Sequence, residues 1–434
     1  MPKMAQCGDV HVLALSPMPE RTEHLWGPHV TGRTDAFDRV EGDQLVDLIV
    51  SHAKEVNADA VFALSEYAVL AVAYAAERLG LVGAGPNVAK SRDKRLMREV
   101  WEHAGVPSPR FRRVASEDEL RAAVDELTLP VLLKSALGAG SIGQLVIEHA
   151  DEVADAWAQA SAAVASAVQV GIGELHDRRP ERHFLVEEII KGSIRTWFDE
   201  DSGYGDYLSV EGIVARGVYH PIAITTRIPT IPPFTELSNL APCSLPEPLQ
   251  RKVEAVAKAA VDALGLDTCG THTELKLADN GEVFLIESAA RLGGVMVIKE
   301  IENVFGYDMV GMLLREMLGE QVDYPERMLL SGSAAAGSLS IIATDDAGTP
   351  WQRLPVWDFD AVDWSAILSE GSSIEAVAGL SIPNGTPMPK YDVAGGSTNY
   401  AGIFFLQARD AETLVRDSHS VLNNLEAALT DNSE

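Results

Sequence analysis

Cysteine is scarce: the 434 residues hold three, Cys7, Cys243 and Cys269, far apart and with no CxxC pair. That spacing excludes a disulfide framework and offers no zinc site. Basic residues are also short, 35 Lys plus Arg against 64 Asp plus Glu, for a formal charge of −29. Nucleic acid would be repelled over most of such a surface and is excluded as the main partner. Long apolar runs are missing: the uncharged stretch from Ala156 to Gly173 is rich in Ala, Ser and Gln rather than Leu or Ile, and reads as an amphipathic helix, not a membrane span. The first ten residues lack the charged and apolar regions of a signal peptide. A reducing cytoplasm is the expected compartment, with no membrane partner.

What is present is an ordinary globular composition, with 46% hydrophobic residues and enough length for two or three domains. Residues 9 to 90 alternate β-rich runs (Val10 to Leu15, Ala60 to Leu64) with helical patterns (Gly42 to Val56, Glu66 to Leu79), the signature of a small parallel α/β domain. Gly83-Ala-Gly85 lacks the third glycine of a dinucleotide fingerprint. A basic helix from Lys90 marks a boundary near residue 90. A strand at Arg110 to Val114, a helix opening on the capping box Ser116-Glu-Asp-Glu119 and the strand Pro130 to Lys134 lead into the glycine-rich loop Gly138 to Gly143. A helix over about 150 to 172 and a strand over 183 to 190 close a lobe spanning about 112–190. A larger lobe, 191–330, follows with strands at Tyr207 to Ala215 and Val218 to Thr226, then a loop punctuated by Pro229, Pro232, Pro233, Pro242 and Pro246. Residues 331–434 read as a further α/β lobe with strands near Ser338 to Ala343 and Ala401 to Gln407.

The chemistry concentrates in one place. Thr271-His-Thr-Glu-Leu-Lys-Leu277 and Val283-Phe-Leu-Ile-Glu-Ser-Ala-Ala-Arg291 flank Ala278-Asp-Asn-Gly-Glu282, whose Asn-Gly predicts an antiparallel hairpin that brings Glu274 close to Glu287. Two carboxylates inside an apolar sheet require a neutralising cation, and Mg²⁺ bridged to phosphates is the usual answer; a plain hairpin with two surface carboxylates is the alternative. Arg291 adds a permanent cation. Taken in order, Lys94, Lys134, the glycine loop, Glu187-Glu188, Glu274, Glu287 and Arg291 are the parts needed for phosphoryl transfer from ATP. His272 is expected on the opposite strand face from Glu274, packed in the core.

This order and spacing, over residues 90 to about 320, resembles the ATP-grasp superfamily of carboxylate-amine ligases. The phrases Tyr207-Leu-Ser-Val-Glu-Gly-Ile213, His220-Pro-Ile-Ala-Ile224, Phe234-Thr-Glu-Leu-Ser238, Gly270 to Lys276 and Ile286 to Gly294 look most like the bacilysin-type L-amino acid ligases. The resemblance implies an α/β ATP-grasp fold over 91–330, an N-terminal parallel α/β domain over 1–90 and an extra C-terminal α/β lobe over 331–434. It implies ATP and Mg²⁺, an acyl-phosphate route to an amide between amino acids or an amino acid and a short peptide, a place in antibiotic biosynthesis, and a homodimer. Lys94 and Lys134 are then expected at the phosphates, and Gly140 and Ser141 in the lid loop, with Ser141 counted among the catalytic groups. Glu187, Glu188, Ile189 and Ile190 are expected at the adenine hinge, with Glu187 favoured over Glu188, and Glu274 and Glu287 on the metal. Arg291 is expected on the reacting phosphate, Glu236 on a substrate ammonium, and Asn239, Gly294 and Val295 near the substrate. Two positions depart from the family pattern: Ala289 stands where the superfamily has a metal-binding Asn, and Asn239 where the subgroup has His. Two other readings stay open: a specialised acid joined to a non-amino-acid amine, and a non-catalytic ATP-binding regulatory protein.

Overall fold

The computed structural model describes residues 1–18, 20–37, 40–169, 173–176, 183–232, 234–393 and 395–431. Pro233 and the expected end of the helix at 170–172 lie outside them. The N-terminal part contains α1 (Pro2–Ala5), β1 (His11–Ala14), α2 (Glu20–Trp26), β2 (Gly32–Asp35), α3 (Asp43–Glu55) and α4 (Val69–Leu79). β1 and β2 pair in parallel. The apolar run at 60–64 forms no strand; Ala60 and Phe62 instead pack against the core around Met309 and Leu313. Burial against a helix satisfies that run as well as a sheet would.

The expected basic helix is two helices, α5 (Val88–Arg92) and α6 (Lys94–Ala104). Asp93 breaks it: its backbone is extended and its carboxylate accepts from Arg95 N, capping α6. The break lets Lys94 N donate to Ala136 O at 3.0 Å, docking the start of α6 on the end of a strand in the next lobe. That lobe comprises β3 (Phe111–Val114), α7 (Glu117–Glu126), β4 (Val131–Ser135), β5 (Leu145–Ile147), α8 (Val153–Gln169) and β6 (Phe184–Glu188), with sheet order β3-β6-β4-β5. Ser116 Oγ accepts from Glu119 N, one half of the expected capping box, while the Glu119 carboxylate accepts from Ala115 N rather than Ser116 N. Leu120, Val131, Phe184 and Val186 belong to a core of its own.

The rest is built on one eight-stranded sheet. It takes β7 (Tyr207–Ala215), β8 (Val218–Thr226), β9 (Ser238–Ala241), β10 (Cys269–Leu277) and β11 (Val283–Ala289), then β12 (Ala335–Ile341), β13 (Ser373–Ala376) and β14 (Gly402–Ala408), in the order β11-β10-β7-β8-β9-β12-β14-β13. The sheet runs through the boundary expected at 330, where β9 pairs with β12. The helices are α9 (Glu247–Leu264), α10 (Val297–Phe305), α11 (Met309–Met317) and α12 (Ala411–Asp431). Cores pack on the sheet around Trp101, Leu208 and Leu275, around Trp357, Leu339 and Phe404, and around Met309 and Leu313, the last of which includes Ile213 and Ile222. Among the described residues no helix is long and apolar enough to cross a membrane.

Candidate active site

Two neighbouring strands carry polar side chains at every second residue, and a third adds one more. Tyr207, Ser209 and Glu211 on β7 lie opposite Lys276, Glu274 and His272 on β10, and Glu274 lies opposite Glu287 on β11. Strand side chains alternate, so all seven share one face. The hairpin closes as Asn-Gly predicts, with Gly281 at φ +75° and Ala278 N donating to Glu282 O. His272 is therefore on the same face as Glu274, not the opposite one: two residues along a strand is one full period. Its Nδ1 lies 2.6 Å from Glu211 Oε1 and its Nε2 3.2 Å from Glu274 Oε1. Burial works against a charged ring, but Glu211 and Glu274 outweigh it and push His272 up to about 10.

Above this face lies an open cleft of about 960 Å³, lined by Lys94, Lys134, Gly138 to Ile142, Glu187 to Ile190, Tyr207, Glu236, Glu274, Lys276 and Glu287 among others. Lys94 Nζ sits 2.9 Å from Glu287 Oε2 and donates to Gly138 O at 2.9 Å, tying a carboxylate to the glycine loop. Burial alone would raise Glu287; the Lys94 ammonium outweighs it and holds the carboxyl at about 2. Burial and then the like charge of Glu287 push Glu274 the other way, upward. Glu187 is buried between Lys134 and Arg98, whose Nε is 3.0 Å from Glu187 Oε2. Glu188 turns instead to Arg110 at 2.8 Å and Thr128 N at 3.0 Å. Gly140, Ser141 and Gly143 have positive φ, the loop's sharp path over the cleft.

At the other end, Glu236 accepts from Arg227 Nε at 3.0 Å and from the Tyr207 hydroxyl at 3.3 Å. Arg227 is fully buried and also donates to Thr225 Oγ1 and Ser209 Oγ. Arg291 does not line the main cleft: it pairs with Glu66 and donates to Leu292 O at 3.0 Å, beside a smaller apolar pocket walled by Phe62 and Val69. Arg92 extends this group, with its Nε 2.8 Å from Glu174 Oε2 and 3.5 Å from Glu66 Oε1, while its Nη2 donates to Leu137 O at the base of the glycine loop. Asn239 is buried on β9, its Nδ2 3.5 Å from Ser338 Oγ. Gly293 packs on the Glu211 and His272 pair, with room for no Cβ, and Gly294 follows it. Val295 and Met296 then take φ +46° and +68°, and Val297 N bonds to Gly294 O at 3.0 Å. A left-handed valine costs about 1–3 kcal/mol and persists only where its surroundings impose it.

The sequence reading did not single out Ser209, Glu211, Arg227, Arg98, Glu66, Arg92 or Glu174. For Ser209 and Glu211 a signal existed: polar residues at alternate positions of strands otherwise wholly apolar. Glu66 and Arg92 meet the site only through tertiary packing, which no local pattern announces.

The hairpin carboxylates, the placed lysines and the glycine loop converge on one cleft, and residues 127–299 match the family described as "ATP-grasp domain". The chain carries an ATP-grasp domain. The alanine–anticapsin ligase of Bacillus subtilis (strain 168) is 39% identical over 289 residues, covering 66% of this chain and 60% of that protein. The chain thus matches rather less than two thirds of that relative's length. The crystal structure of the L-amino acid ligase from Bacillus licheniformis superposes with a TM-score of 0.73 at 19% identity, over 97% of this chain and 93% of that one. The biotin carboxylase domain of the Hydrogenobacter thermophilus 2-oxoglutarate carboxylase, solved with MgADP, ADP and bicarbonate, gives 0.63 at 16% identity, over 94% and 84%. The fold is the ATP-grasp fold, and such domains bind ATP.

A divalent metal fits the ATP-grasp cleft in one way. Among the described residues no three His, Cys, Asp or Glu side chains form a metal cage. Glu274 and Glu287 face each other across the hairpin with the Lys94 ammonium as the nearest cation to Glu287. Two carboxylates with the remaining ligands from phosphate and water is how Mg²⁺ is commonly held beside a nucleotide.

Proposed function

We propose that this chain is an ATP-dependent ligase that forms an amide bond between two amino acids, or an amino acid and a short peptide, through an acyl phosphate. The observation that carries this reading is the single cleft with two chemically different ends. One end gathers Lys94, Lys134, the glycine loop and the Glu274 and Glu287 pair; the other offers Tyr207, Lys276 and Glu236, with the buried Arg227 behind Glu236. The match to the alanine–anticapsin ligase supports it.

On this reading Lys94 and Lys134 hold phosphate oxygens, and the loop backbone from Gly138 to Gly143, with Ser141, covers them. The hinge from Glu187 to Ile190 borders the adenine. Glu274 and Glu287 would hold Mg²⁺, which supplies charge neutralisation between the phosphates. The substrate carboxylate attacks the terminal phosphate, ADP leaves, and the amine of the second substrate then displaces inorganic phosphate. No protein nucleophile is required. Glu236 attracts a substrate ammonium, and Arg291, kept charged and oriented by Glu66, steadies the negative charge that builds as the amine attacks. Asn239, Gly294 and Val295 border the substrate. Water exclusion by the loop protects the acyl phosphate. A homodimer belongs to the same proposal.

The test is incubation with ATP, Mg²⁺ and pooled L-amino acids, following phosphate release and analysing products by mass spectrometry. Masses of condensed pairs, absent in Glu287→Ala, are expected. Clear ATP binding with no phosphate from any amino acid would refute the reading and favour a specialised acid or a regulatory role.

A further inference from the structure

The left-handed turn at Val295 is held from below by a buried acid that the proposed reaction does not use. Glu300, on the first turn of α10, is fully buried, as is Ser338 in the middle of β12. Ser338 Oγ lies 2.7 Å from Val295 O and 2.8 Å from Glu300 Oε1. A serine hydroxyl has one proton to give, and a peptide carbonyl can only accept. The proton on Ser338 therefore goes to Val295 O, and the contact with Glu300 requires a proton from the acid. Burial pushes Glu300 well above the ordinary carboxylate range, against the pull of the nearby Arg227 charge, which agrees with the geometry. Its other oxygen has no partner among the described residues, which a neutral acid tolerates far better than a carboxylate. The result is a one-way relay, Glu300 to Ser338 to the Val295 carbonyl.

What the relay holds is unusual. A turn with positive φ at both central residues suits Gly, Asn or Asp, and here the pair is Val295 and Met296. Val295 leaves 37% of its surface exposed, two residues after Gly293, which rests on the Glu211 and His272 pair. We propose that Glu300 and Ser338 are positioning residues that lock the Gly294 to Val297 turn in its left-handed form and so fix where Val295 limits the side chain of the carboxylate substrate. The specificity half of this rests on the ligase reading; the lock itself does not.

Two readouts separate the halves. Hydrogen exchange of the backbone amides of Val297 and Glu300 reports the lock without turnover, and the ratio of kcat/KM for small against bulky amino acid donors reports specificity. In Ser338→Ala both are expected to change by about tenfold, the worth of one buried hydrogen bond, while KM for ATP stays put. Glu300→Gln keeps a neutral donor and is expected to match the unmodified protein in both. Should Ser338→Ala fail to fold, Glu300→Leu removes the donor at similar volume and is expected to move both readouts in the same direction, by less. Unchanged exchange in the folded variant would overturn the lock. Faster exchange with an unchanged donor ratio would overturn its role in specificity. An unmodified protein that condenses no amino acid would defeat the ligase reading and the specificity half with it, and exchange would still decide the lock.

Discussion

At the scale of single residues, charge in this protein is defined by partners rather than by type. Arg291 is fixed by Glu66, and its value in the proposed reaction is a planar fork that a lysine lacks. Arg291→Lys is expected to lower kcat roughly a hundredfold with little change in KM for ATP; steady-state kinetics that show an equal loss in ATP affinity would assign the arginine to nucleotide binding instead. Glu174 offers a test of stability. Burial pushes its carboxyl up to about 7, although Arg92 pulls it down. The folded protein therefore holds a proton that the unfolded chain has released between about 4.5 and about 7. Stability falls as pH rises through that window, and the penalty is constant above it. Glu174→Gln removes the titration, so the variant's Tm relative to the unmodified protein should climb between about pH 5 and about pH 7 and then level off. A difference that stays flat would show that Glu174 does not titrate there.

Among the elements, legibility in the sequence followed locality. The hairpin at Glu274 and Glu287 was readable because Asn-Gly signals a turn between paired strands, although the register that sets the two carboxylates opposite each other also needs a shift between Glu274 and Leu275. The helix α7 announced itself through its cap. The strand face of Tyr207, Ser209 and Glu211 was readable in principle, since its period is local. By contrast, the basic helix gave no sign of its break, because the bond from Lys94 to Ala136 that rewards the break comes from another lobe. The strand β9 and helix α9 were hidden by the proline-rich composition around them, although Pro246 marks the start of α9. The glycine loop shows a similar long-range dependence. Ser397 N donates to Gly140 O at 3.2 Å, and a Cβ on Gly396 would lie 2.6 Å from that oxygen, at φ +50°. Gly396→Ala should therefore push the loop away from its seat. The expected result is loss of coupling, with more phosphate released per amide formed. Unchanged coupling in a folded variant would mean that the loop closes without this contact.

Viewed as a whole molecule, the chain has the small β1-β2 sheet, a lobe with its own sheet and core, β3 to β6, and a body in which β7 to β14 form one sheet. Independent cores open independently. Calorimetry is expected to show the lobe melting first, and, on the proposed roles of Lys134 and the hinge, ADP should raise that first transition most; one transition insensitive to nucleotide would contradict this. The body cannot be divided in the same way, because β9 has β12 beside it and β12 comes nearly a hundred residues later in the chain. A ribosome therefore delivers Lys94, Lys134, Glu274 and Glu287 well before it delivers the strand that covers β9 and the Gly396 corner that seats the loop over them. Until β12 and the Gly396 corner emerge, those four charged side chains stand beside an open strand edge and beneath a glycine loop that has no seat.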